Sequence, residues 1–282
     1  MNTARTVRLS RRAALLGGLG AGACLLTGCQ GQTPEIDPKS ELALTKPPAT
    51  AAEPVTTDRK LSTHGRAQEV DIVFVRPSGI PPGPIPVCLA LHPKLGGART
   101  FLKYGIAEML TELARYTSAP FAIAAVDGGN WVGTKYDDPQ RMLTEDMPGW
   151  LSYHDLASTP FAVIGLGEGA MGALNHARAT TGIRAVAAVS PTLYEGWQYA
   201  EASGDYQDRA QWEAAEPLRH TSEFSGRAVG VWCGAGDAAF LGTSKDFAGR
   251  VKAKGTWAPG GHDEAYWRKA LPEALKFVGG HL

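Results

Sequence analysis

The sequence predicts an α/β domain in which a mostly parallel central sheet is covered by helices on both faces. Short apolar runs bounded by glycine and proline alternate with longer segments of helical period. Several of these runs are almost continuously apolar, as expected for strands that are buried on both faces. The 282 residues, 44% of them apolar and with no net charge, suit one globular domain.

Seven strands and four helices can be placed in order along the chain. The predicted strands are 70–77, 85–92, 121–128, 161–167, 183–191, 227–234 and 255–260. The predicted helices are 98–117, 168–182, 244–253 and 264–282. The polar and aromatic stretch 192–226 interrupts this alternation, and it either roofs a site or forms a solvated pair of helices.

The N-terminus resembles an export signal. Arg11 and Arg12 precede an apolar run that is too short and too rich in glycine to span a bilayer comfortably. The run ends in the letters LTGC, which resemble a bacterial lipobox, so residues 1–28 are predicted to be a twin-arginine lipoprotein signal peptide. Acylated Cys29 would then anchor the protein in membrane lipid at the outer face of the cell membrane. A plain signal peptide or a short anchor helix is the alternative.

Residues 29–60 are predicted to be the lipidated cysteine followed by a flexible tether, and residues 61–282 the folded domain. The tether segment is rich in proline, threonine, alanine and glutamate and has no apolar period. Cys88 and Cys233 lie in predicted buried strands, so we expect them to be free thiols rather than a disulfide.

The composition argues against several classes of partner and cofactor. The net charge is zero, and no basic cluster follows the first twelve residues, so nucleic acid is not expected as a partner. No spacing of histidine, cysteine and carboxylate residues is typical of a metal site. The letters GLGEGA match a dinucleotide-binding fingerprint only in part, and no cofactor is expected.

Unusual residues follow several predicted strands at their carboxyl ends, where ligands bind in open α/β sheets. One loop, after the third predicted strand, contains Asp127, Asn130 and Trp131. We expect these three side chains to contact a ligand, with a role in capping the turn as the alternative.

The stretch FAVIGLGEGAMGALNHARA has the form of a nucleophile elbow, a strand and a helix joined by a sharp turn. Gly165 and Gly169 occupy the flanking positions where strand and helix come close together. Gly167 occupies the position of the nucleophile. Asp237 and His262 follow later strands in the chain order of a catalytic acid and base.

The letters GLGEGAMGAL resemble the GLSMGGYGAL type of elbow found in the esterase D and secreted mycolyltransferase group of α/β-hydrolases. The resemblance extends over most of residues 68–282 and implies the α/β-hydrolase fold. It also implies that Asp237 is the triad acid, His262 the triad base and Gly167 the position of the lost serine.

The loop HPKLGG lies where members of that group carry glycines that help to form the oxyanion hole. Pro93 has no N–H, so we expect the donors to be the backbone N–H groups of Glu168 and Leu95. Lys94 and Gly96 are alternatives within the same loop.

Because glycine has no side chain, residue 167 cannot form an acyl-enzyme. The first hypothesis is therefore a cell-envelope lipoprotein whose degenerate esterase-like domain binds or scaffolds acyl or glycan ligands without catalysis. The alternative is an active esterase or acyltransferase in which His262 and Asp237 activate water. A surface protein without a ligand is a third hypothesis. Ser190 is more consistent with the end of a strand than with a replacement nucleophile.

Overall fold

The computed structural model of the chain describes residues 54–117 and 119–282. The predicted signal peptide at 1–28, Cys29 and most of the predicted tether lie outside the described residues. In the part of the chain that is described, no helix is both long enough and apolar enough to cross a membrane.

Eight strands form one sheet in the order β1-β2-β4-β3-β5-β6-β7-β8. The strands are β1 Val55–Ser62, β2 Gln68–Val75, β3 Val87–Leu91, β4 Ala122–Val126, β5 Ala162–Leu166, β6 Ala185–Val189, β7 Ala228–Gly234 and β8 Lys254–Ala258. The pairs β1·β2 and β2·β4 are antiparallel, and every other neighbouring pair is parallel. All seven predicted strands are present, and the prediction of a mostly parallel sheet is confirmed.

Helices cover both faces of the sheet. They are α1 Thr100–Lys103, α2 Ile106–Ala114, α3 Pro139–Arg141, α4 Met147–Tyr153, α5 Glu168–Ala179, α6 Trp197–Ser203, α7 Arg209–Ala215, α8 Leu241–Val251 and α9 Glu264–Gly279. Residues Met142–Asp146 join α3 to α4 through a π-helical turn.

The strands divide their side chains between two cores. In β3, Leu89 and Leu91 pack into the core beneath α4, α5 and α8, whereas Cys88 and Ala90 pack into the core beneath α2 and α9. This alternation on a strand that is fully buried explains the continuous apolar run in its sequence. Cys88 and Cys233 are buried free thiols, as expected.

The structure differs from the predicted elements in three places. Strand β1 begins at Val55, so the tether cannot extend to residue 60. The strand was missed because it is an edge strand whose middle consists of three charged residues, Asp58, Arg59 and Lys60, and gives no apolar run. The predicted helix 98–117 is interrupted at Gly105, whose φ of +82° breaks the helical path. Residues 139–153 form helices that the sequence pattern did not indicate.

Candidate functional site

The elbow has the backbone geometry that its sequence indicates. Strand β5 ends at Leu166, helix α5 begins at Glu168, and Gly167 lies between them with φ +57° and ψ −121°. Its N–H donates to the carbonyl of Val189 at 2.9 Å. A Cβ atom at Gly165 would collide with the carbonyl of Gly169, and the flanking glycine is therefore required by close packing.

Asp237 and His262 are brought together beside the elbow. Asp237 is buried in the turn after β7, and its Oδ2 lies 2.8 Å from Nδ1 of His262. Burial works against the ionised form of Asp237, but the hydrogen bond and charge of His262 outweigh it, so the pKa of this carboxyl lies below its ordinary value. The pair thus has the geometry of a triad acid orienting its histidine.

The other nitrogen of this imidazole faces the elbow. A Cβ atom built on Gly167 would lie 3.5 Å from Nε2 of His262 and 3.4 Å from Cβ of Pro93, both ordinary contacts. Since Nδ1 donates its proton to Asp237, Nε2 of the neutral ring is an acceptor. A side chain at residue 167 would therefore have both space and a base within reach.

A cavity of about 420 Å³ opens next to this pair. Its lining residues are Pro93, Lys94, Leu95, Gly96, Thr100, Lys103, Tyr104, Glu168, His262, Glu264 and Trp267. The ring of Trp267 packs edge-on against His262, with centroids 5.5 Å apart, and Phe240 packs against the same imidazole at 5.1 Å. The sequence prediction missed Trp267. Its one available signal was an aromatic residue early in the helix that follows the histidine loop.

The loop after β3 contacts the elbow through Lys94. The N–H of Lys94 donates to the Glu168 carboxylate at 2.9 Å. The N–H of Gly96 is used within the loop, bonding to the carbonyl of Pro93 at 2.8 Å, and the side chain of Leu95 is fully exposed. The expectation that the Leu95 N–H is a donor stays a prediction. The Glu168 N–H, at the first position of α5, has no intrahelical carbonyl to bond.

The Lys94 side chain fastens this loop to the stretch that contains α6 and α7. Its ammonium group lies 2.6 Å from Oδ1 of the buried Asp205 and 3.1 Å from the carbonyl of Ser203.

His92, just before the loop, is also buried. Its Nδ1 lies 2.8 Å from the carbonyl of Pro93, and its Nε2 accepts from the N–H of Gly128 at 3.0 Å. Burial lowers the pKa of His92, which therefore serves as a neutral connection between two strand ends.

The loop residues predicted to contact a ligand make contacts within the fold and do not line the cavity beside His262. Trp131 is fully buried and donates from its indole nitrogen to the carbonyl of His92. Asp127 accepts from the N–H of Ala98 at 2.6 Å. Asn130 caps its own loop and donates to the carbonyl of Asp205. Neither Asp127 nor Asn130 lines the cavity beside His262.

Ser190 ends strand β6 as expected. It is fully buried, its φ is +50°, and its N–H donates to the carbonyl of Trp232 at 2.6 Å. It lines none of the cavities described in this section. This position gives it no access to a substrate.

Residues 192–226 form a wall of a second cavity of about 540 Å³. The stretch contributes Tyr194 and Tyr199 to this wall, and Phe240 from the loop after Asp237 faces them. No residue of this stretch lines the first cavity. Phe240 also packs against His262, which lines the first cavity.

Within residues 54–117 and 119–282, no three histidine, cysteine, aspartate or glutamate side chains are grouped as a metal site requires. The chemical groups at the elbow include the imidazole of His262, oriented by Asp237, the carboxylate of Glu168 and the N–H of Lys94.

No protein-family model matches the chain, and no curated protein matches its sequence. Solved structures do match. A ferulic acid esterase superposes with a TM-score of 0.69 at 18% identity, covering 81% of this chain and 98% of its own. An S-formylglutathione hydrolase from Agrobacterium tumefaciens gives 0.66 at 14% identity, covering 83% and 98%. Mycobacterium tuberculosis MPT51 (FbpC1) gives 0.61 at 17% identity, covering 83% and 100%. With its mostly parallel eight-stranded sheet and its elbow between β5 and α5, the chain has the α/β-hydrolase fold of these esterase-like structures.

Proposed function

We propose that this protein binds a ligand in the cavity beside the elbow and does not hydrolyse esters through an acyl-enzyme. The observation that supports this most directly is Gly167, which stands at the elbow beside His262 and has no side chain to supply a hydroxyl. Loss of a triad nucleophile removes nearly all of the triad's contribution to the rate. The oriented His262–Asp237 pair and the open cavity make a binding role the better explanation of what remains.

The ligand class follows from the fold and the predicted location. Proteins of this fold include esterases, and the N-terminal sequence predicts export to the cell envelope. We therefore propose acyl or glycan compounds of the envelope as ligands, bound by a lipoprotein anchored through Cys29. A test is metabolic labelling with palmitate in the native host. The full chain should take up label and Cys29→Ala should not, whereas labelling of that variant would contradict the anchor.

The catalytic part of the proposal can be tested with p-nitrophenyl butyrate and the purified full chain. We expect the wild-type protein to hydrolyse no faster than background. Gly167→Ser should gain a measurable rate and react with a fluorophosphonate probe, because the new hydroxyl would lie next to Nε2 of His262.

Two variants serve as controls for this assay. Gly167→Ala introduces the same backbone change without a hydroxyl and should remain inactive. Gly167→Ser combined with His262→Ala should lose the gained rate. Hydrolysis by the wild-type protein that disappears in His262→Ala would overturn the binding proposal in favour of water activated by His262 and Asp237.

A further inference from the structure

We propose that Glu168 is a specificity-determining residue whose carboxylate fills the oxyanion hole and closes the elbow to ester carbonyls. This inference rests on the proposed binding function and concerns the same cavity. It adds a second change at the elbow, separate from the loss of the serine hydroxyl.

The geometry places the carboxylate where a substrate oxygen would be held. An elbow enzyme binds the carbonyl oxygen between the N–H of the residue after the nucleophile and an N–H of the loop after the third strand. Of the N–H groups in this loop, that of Lys94 donates to Oε2 of Glu168 at 2.9 Å. In this proposal it is the loop donor that an incoming carbonyl would need, and it is already bonded to an anion.

The position of Glu168 in the fold favours this arrangement. Glu168 is the first residue of α5, a twelve-residue helix, and a carboxylate at a helix N-terminus is stabilised by the helix dipole. The carboxylate thus interacts favourably with both the helix and the loop.

The donor itself is held in place from several sides. Lys94 is tied through its ammonium group to Asp205, and the N–H of Gly96 closes a turn back to Pro93. Further along the loop, the N–H of Gly97 donates to the hydroxyl of Thr100 at 3.0 Å. With the loop held in this way, the N–H of Lys94 remains directed at Glu168.

The same arrangement inverts the polarity of the elbow. In a working hydrolase this point attracts the negative charge that develops on the substrate oxygen. Here it carries a carboxylate, and like charges at this distance repel. A carboxylate accepts hydrogen bonds, so a ligand at this point is best matched by a group that donates them.

The test compares Gly167→Ser with Gly167→Ser/Glu168→Ala in the p-nitrophenyl butyrate assay. The double variant should exceed the single variant by about 100- to 1000-fold in kcat, since one oxyanion-hole donor is worth that much in rate. The matched control is Gly167→Ser/Glu108→Ala. It removes an exposed glutamate from the first turn of α2, outside the cavity, and should leave the rate of the single variant unchanged.

Equal rates in Gly167→Ser and Gly167→Ser/Glu168→Ala would overturn this inference and leave the proposed binding function intact. Hydrolysis by the wild-type protein would overturn the binding function without bearing on that ratio. A second readout needs no turnover: the amide resonance of Lys94 in the full chain. It should shift in Glu168→Ala, because this variant removes the carboxylate that accepts from the Lys94 N–H. An amide resonance unchanged by Glu168→Ala would overturn the proposal even if neither serine variant is active.

Discussion

At Gly167 the backbone keeps a conformation that an elbow nucleophile normally occupies under strain. Its φ is +57° and its ψ is −121°, a region that residues with a side chain rarely adopt. Nevertheless, a Cβ atom there would meet its nearest neighbours, on Pro93, His262 and Trp267, at 3.4–3.6 Å. The absence of a Cβ atom at Gly167 therefore relieves backbone strain, and the space around this position is kept.

This leads to a prediction about stability. Gly167→Ala should lower the free energy of unfolding by about 1–3 kcal/mol, because the new Cβ fits in space but forces an alanine into the strained conformation. Urea denaturation of the full chain measures the change. Gly249→Ala, at an exposed position in the last turn of α8 where a Cβ atom meets nothing, is the control and should not lower stability. A Gly167→Ala protein as stable as the wild type would show that the elbow is not strained.

Residues around the elbow show how far the sequence could predict the site. Gly167, Asp237 and His262 could be placed because a nucleophile elbow and its partners follow a fixed chain order. Whether Leu95 or Lys94 is the loop donor could not be predicted, because the direction of each N–H depends on the turn closed by Gly96. The burial of Trp131 could not be predicted either, because its polar neighbours resemble a binding loop, whereas its ring packs against α5 at Gly172.

At the scale of elements, the buried strands were predictable and the edge strand was not. A strand covered on both faces has an apolar run, which β3 and β5 show clearly. Strand β1 has charged side chains and depends on pairing with β2 along its whole length. Such a strand gives no apolar signal in the sequence.

The connection between β1 and β2 is held by a contact that is distant in sequence. The buried carboxylate of Asp146, in the π-helical turn before α4, accepts from the hydroxyl of Ser62 at 2.6 Å and from the N–H of Gly65 at 3.2 Å. Nδ1 of His64 lies 2.6 Å from the same carboxylate. A local sequence pattern could not reveal these hydrogen bonds to Asp146, since the partners are separated by more than 80 residues.

At the scale of the whole molecule, a buried carboxylate links the wall of the second cavity to the stability of the fold. Glu216 is fully buried and accepts from the N–H of Tyr194 at 2.9 Å and from that of Leu218 at 3.1 Å. Burial raises the pKa of Glu216 to about 7, and these two N–H bonds only partly oppose the shift. Tyr194 lines the second cavity, so the charge of Glu216 acts on its wall.

The raised pKa predicts a definite dependence of stability on pH. Between the unfolded value of 4.5 and about 7, the folded state binds a proton at Glu216 that the unfolded state does not, so stability falls as pH rises. Buried His176 acts in the opposite sense below pH 6.5, because burial lowers its pKa to about 4.

Comparison of Glu216→Gln with the wild type cancels the contribution of His176. The free energy of unfolding of Glu216→Gln minus that of the wild type should be about 1–3 kcal/mol larger at pH 8 than at pH 5. This magnitude follows from the size of the pKa shift of Glu216. Urea denaturation of the full chain at both pH values measures it, with the exposed Glu201→Gln as a control that should show no such change. A difference between Glu216→Gln and the wild type that stays constant with pH would show that Glu216 is ionised in the folded protein throughout this range.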